Sequence, residues 1–160
     1  MKRISSVVAF TTLIAFSSLG LADASPLDDA RTLVSQAHLG KKLASLALLT
    51  AKSTATYAAI AAKVGNASAN SAVSDEINAL LPKYQPKWDE NLARAYEGLF
   101  SEEELSSLAS EGRHSKYAPK VKERREEVGG YMQKNAEPIL VALVSEALRV
   151  TLSQTVSGDS

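Results

Sequence analysis

Between Ile139 and Leu152 the chain carries Ile139, Leu140, Val141, Leu143, Val144, Leu148, Val150 and Leu152, too many large apolar residues for a helix with one side in water. Met132, Ala136, Leu140, Leu143, Ala147 and Val150 recur along one helical face, and Ile139, Val141, Val144, Leu148 and Leu152 widen it well past a single stripe. Such a helix is either the centre of a core or covered by a partner. Each large side chain buried is worth roughly 1.5 to 3 kcal/mol, so this segment should dominate the stability of its domain. The rest of the chain must supply helices to surround it. Any shortfall leaves an apolar patch, for which Val144 and Leu148 are the candidate interface residues, facing a protein partner or a second copy of the chain.

The sharpest local signal lies upstream, in Phe100-Ser101-Glu102-Glu103-Glu104-Leu105. Ser101 and Glu104 have the spacing of a capping box, in which each residue satisfies the other's backbone N–H, and Phe100 with Leu105 forms a hydrophobic staple. Three carboxylates in the first turn also face the positive end of the helix dipole. These residues predict a sharp corner between two helices and require no catalytic explanation.

Other segments predict further helices. Acidic Asp28 and Asp29 with apolar 27, 30, 33 and 34 mark a short amphipathic helix, ended or bent by Gly40. Leu43, Leu46, Thr50, Ser53, Tyr57, Ile60 and Val64 follow steps of three and four and predict one helix from Leu39 to Gly65. Small Thr50 and Ser53 on that face suggest the close approach of another helix, or a gap opening a cavity. Asn66 to Ser71 reads as a polar loop, Ser74 to Leu81 as a short helix closed by Pro82, and Pro86 as the first turn of a helix carrying Trp88, Leu92, Ala95, Tyr96 and Leu99. After Gly112 a charged helix begins, with Lys122 and Glu126 spaced to pair; Gly129-Gly130 and Pro138 bend it rather than end it. The reading is an all-α, single-domain bundle of about five or six helices with a long, bent C-terminal helix.

At the N-terminus, Lys2 and Arg3 precede a short apolar run and an Ala22-Asp23-Ala24 site, the three parts of a secretory signal peptide. Cleavage after Ala24 would release residues 25–160 to the periplasm or the medium. The chain has no cysteine, so stability must come from packing rather than disulfides. Basic and acidic residues balance at 18 each, which argues against bulk binding of nucleic acid.

Tyr96, Phe100, Ser101, Glu104 and Leu105, after the aromatic Trp88 and before a long C-terminal helix, resemble the motif of a small exported bacterial family known as domain of unknown function 2059. The resemblance covers the C-terminal half, and Ser110 to Ser115 stands where that family has an aromatic pair followed by Ser-Pro-x-Gly. It implies an all-helical exported bacterial protein and carries over no catalytic residues.

No catalytic constellation emerges. Two histidines, His38 and His114, and no cysteine leave too few nitrogen and sulfur ligands for a zinc site, and no cofactor motif is present. Arg113, Lys116, Lys120, Lys122, Arg124 and Arg125 form a candidate patch for anionic lipid or polysaccharide, with Glu123, Glu126 and Glu127 interleaved. Two functions remain: a protein-interaction module of the bacterial envelope or a secreted factor, and a carrier of lipid or another apolar ligand in a cavity between helices. The first is the favoured reading, on the broad apolar segment; the second is the alternative, on the small residues at Thr50 and Ser53.

Overall fold

A computed structural model describes residues 24–157. Apart from Ala24, the expected signal peptide lies outside the described residues, as does the Gly158–Ser160 tail. Among the described residues there are seven α-helices, two 3₁₀ turns and no strand: α1 (Pro26–Gln36), a turn at Leu39–Lys42, α2 (Leu43–Lys52), α3 (Ala55–Val64), α4 (Asn66–Leu99), α5 (Glu102–Glu111), a turn at Gly112–His114, α6 (Ala118–Glu123) and α7 (Arg125–Ser157).

The protein is all-α, and α7 gives one face to the core rather than standing at its centre: Val141 and Ala142 are exposed, so the segment from Ile139 to Leu152 does have one side in water. Ala136, Leu143, Ala147 and Thr151 are fully buried along α7, which packs most extensively on α4 and then on α2 and α3. The two long helices run antiparallel, about 50 Å each at 1.5 Å per residue. Their register is marked where Lys83 and Tyr84 of α4 both reach Glu146 of α7, at 2.6 and 2.5 Å. α1 lies on α4 and α5, tied to α4 by Arg31 and Glu90 at 2.8 Å.

Several expectations are corrected. The helix predicted from Leu39 to Gly65 is two, α2 and α3, bent by 81° at Ser53-Thr54. Thr54 caps α3 by accepting from the Tyr57 N–H at 3.1 Å, while Ser53 is exposed and donates to the Thr50 carbonyl. Ser53 therefore ends α2 rather than facing a neighbour, and Thr50 is half-buried in the last turn of that helix. The small residues where α2 meets the core are Ala47 and Ala51.

The predicted loop at Asn66–Ser71 is helical, and the short helix before Pro82 is continuous with the one after Pro86. Ala69, Val73 and Ile77 are buried at steps of four, so a core stripe holds the segment in place despite its polar composition. Pro82 and Pro86 both lie on the exposed side of α4, where the carbonyls they leave unpaired, on Asn78 and Pro82, can be hydrated. Buried Tyr84 and Trp88 keep the helix on course through them.

The charged helix is also broken, at Arg124, which separates α6 from α7. Arg124 pairs with Glu127 at 2.7 Å, and among the described residues Lys122 and Glu126 form no ion pair. α7 itself runs unbroken through Gly129, Gly130 and Pro138.

Gly40 does not end the first helix, whose C-cap is Ala37, but lies in the turn that follows it. The turn at Leu39–Lys42 presses on α4 so closely that a Cβ on Gly40 would stand 1.8 Å from Asp89 Oδ1. Gln85 closes the contact by donating to the Gly40 carbonyl and to Asp89. The preceding His38 turns the chain with φ of 51°.

Candidate functional site

The capping box forms as the sequence predicts. Ser101 Oγ accepts from the Glu104 N–H at 3.3 Å, and Glu104 accepts from the Ser101 N–H at 2.9 Å. Phe100 and Leu105 are both buried, and Tyr96 stacks against Phe100 with ring centroids 5.6 Å apart. Lys120 of α6 completes the corner, 2.6 Å from both Glu104 oxygens and 5.0 Å above the Phe100 ring. The Lys120 ammonium and the Ser101 N–H hold the Glu104 carboxyl below its usual range.

This arrangement divides the expected basic patch. Lys116 pairs with Glu103 at 3.3 Å, Lys120 with Glu104, and Arg124 with Glu127, so these three cations serve the fold. Lys122 and Arg125 enter no ion pair among the described residues and flank a groove instead. Arg113 donates to His114 Nε2 at 3.3 Å beside a neighbouring cavity.

The groove, about 590 Å³, lies between the C-terminal half of α4 and the N-terminal half of α7. Trp88, Leu92 and Tyr96 on one helix and Val128 and Met132 on the other form its buried floor, and Leu46, Val121 and Leu140 its sides. Lys42, Lys122 and Arg125 supply three exposed positive charges to its lining, against one acid, Glu137. Burial pushes the Tyr96 phenol up, and the charge of Arg125 opposes the shift, which places the guanidinium's field over the floor. Gly129 also lines the groove, and a Cβ there would meet nothing within 4 Å. Packing therefore does not require the glycine, and the space beside it stays open.

A second cavity of about 580 Å³, lined by Leu33, Leu108 and Ala118 among others, adjoins the first and shares Leu39, Val121 and Lys122 with it. In a third, more polar cleft near Arg31 and Asp89, Arg31 holds Glu90 and Asp28, and Gln85 holds Gly40 and Asp89. His114 and Ser115 do not form a nucleophile and base, since Ser115 is buried against Ser107 at 2.7 Å while His114 meets Arg113. No group of three or more His, Asp or Glu among the described residues could hold a metal ion.

Val144 and Leu148, the candidate interface residues, are 4% and 5% exposed and belong to the core of the single chain. Among the described residues, the large apolar side chains left in solvent are Leu46, Leu49, Val64, Val141 and Val156. α7 is long and apolar enough to cross a membrane by length and composition, and in this fold its buried face is used by α2, α3 and α4. Sequence reading found the Trp88–Tyr96 face and Met132 but not the groove they make. Lys42, Trp88, Lys122 and Gln133 meet only through tertiary packing, which no local spacing encodes. No family model, curated protein or solved structure matches the chain.

Proposed function

We propose that the protein is an exported helical carrier that holds an anionic amphiphile in the groove between α4 and α7. The observation that carries this reading is the union of an apolar floor with three cations that the fold leaves unpaired. Ligand sites are concave, mostly apolar and of roughly 300–1,000 Å³, with a few polar groups that fix orientation. Here the apolar tail would cover Trp88, Leu92 and Met132, and the headgroup would meet Lys42, Lys122 and Arg125. The signal-like residues 1–24 support an exported location, and the mature N-terminus would then be Ser25.

The interaction-module reading has less to support it. Its apolar face was to come from Val144 and Leu148, which are buried, and singly exposed apolar residues are ordinary on protein surfaces.

Trp88 is the only tryptophan and sits on the groove floor, so its fluorescence reports occupancy directly. Titration with dodecyl phosphate should change its emission saturably. Dodecyl maltoside, with the same tail and no charge, should bind at least tenfold more weakly, and Lys122→Glu with Arg125→Glu should remove the difference. Equal response to both detergents, or none, contradicts the proposal.

A further inference from the structure

Resting on the groove reading, we propose that the natural ligand has two tails: a diacyl lipid with an anionic phosphate headgroup, one tail in the groove and the other in the adjoining cavity, with its phosphate at Lys122. The two cavities are nearly equal in volume, about 590 and 580 Å³, and meet at Leu39, Val121 and Lys122. A forked ligand matches that plan: two apolar compartments of similar size, with a cation at the branch. Leu33, Leu108 and Ala118 give the second compartment an apolar lining of its own, which a single-tailed amphiphile in the groove would leave wet.

Charge complementarity favours an anion at the fork. The linings together carry Lys42, Arg113, Lys122 and Arg125 against Glu111 and Glu137, and Glu111 is occupied with the Ser107 hydroxyl. The divider is a short element at the edge of the core: α6 is six residues long, its Ala118 and Val121 are only half-buried where they pack on the core, and α6 and the residues before it are tied to α5 by Lys120 to Glu104, and by Tyr117 and Lys116 to Glu103. Leu39, on the other side of the seam, is only half-buried.

Native mass spectrometry of the purified protein with dioctanoyl phosphatidylglycerol, octanoyl lysophosphatidylglycerol and glycerol phosphate tests this. The diacyl lipid should load one copy per protein, the single-tailed lipid up to two, and glycerol phosphate none, which separates a lipid headgroup from free phosphate. Ala118→Trp, or Ala37→Trp as a second way of filling the adjoining cavity, should abolish a diacyl preference of tenfold or more. Either variant should leave binding of one single-tailed lipid unchanged and keep the wild-type circular dichroism spectrum. Two diacyl lipids per protein, or a diacyl preference that survives both fillings, overturns the two-tail inference while the groove reading stands. Failure of every lipid to bind removes both.

Discussion

Lys120 and Lys122 are two residues apart on the same short helix and have opposite fates. Lys120 is drawn onto Glu104 and the Phe100 ring, whereas Lys122 stands exposed beside an apolar groove with no carboxylate paired to it. The corner thus neutralises its charges internally, and the groove does not. In a chain with 18 basic and 18 acidic residues, net charge is a poor guide to partners. What counts is which cations remain after the fold has paired the others: Arg31, Lys83, Arg94, Lys116, Lys120 and Arg124 are all in ion pairs.

The strongest way to break the comparison is to remove the helix behind both regions. Val144→Asp places an unpaired carboxylate at a 4% exposed site of α7. The charge should cost several kcal/mol, comparable to the whole stability of a small domain of about 5–15 kcal/mol. Circular dichroism should show loss of the folded state. A folded variant with a changed oligomeric state would instead place Val144 at an interface.

Acid should act on the paired cations and spare the groove's. Asp28, Glu90, Glu103, Glu104 and Glu146 are each held below their ordinary values by hydrogen bonds and nearby cations. A carboxyl depressed on folding adds stability above its unfolded value, 4.5 for the glutamates, and loses it as pH falls through the folded value. Denaturant midpoints should therefore hold between pH 7 and 5 and decline below about 4.5. Glu104→Gln should flatten that decline, whereas Lys122→Ala should leave it unchanged.

A smaller effect sharpens the corner itself. Ser101→Ala removes the acceptor for the Glu104 N–H and should cost about 1 kcal/mol in urea melts. Affinity at the groove should be unaffected. An unchanged midpoint would mean that the cap contributes nothing in solution.

The smallest change has the opposite sign. Gly130 is exposed within α7, and a Cβ there meets nothing within 4 Å. Gly130→Ala should stabilise the protein by roughly 0.5–1 kcal/mol through helix propensity, read as a raised melting midpoint. A lowered midpoint would show that α7 needs its flexibility at the glycine pair.

The two regions also differ in how far they could be read from sequence. The corner was legible because Ser101 and Glu104 lie three residues apart, so the interaction is complete within one turn. The all-α class followed from apolar periodicity in the same way, but the solvent side of residues 139–152, with Val141 exposed, did not. The course of α4 was not legible, because two prolines signal a break unless the freed carbonyls face solvent, and only the packed structure shows that they do. Thr50 and Ser53 misled in the other direction: their spacing fitted a helix face, but Ser53 is the exposed C-cap of α2 and donates to the Thr50 carbonyl. The groove was least legible, because its floor comes from α4 and α7 and its cations from three separate elements.

Native mass spectrometry of the protein taken from the exported fraction, without delipidation, tests the central claim most directly, since one spectrum reports subunit number and retained ligand together. The account predicts a monomer carrying a single acidic lipid, lost in the Lys122→Glu, Arg125→Glu double variant. A ligand-free homodimer would contradict it and return the molecule to the interaction reading.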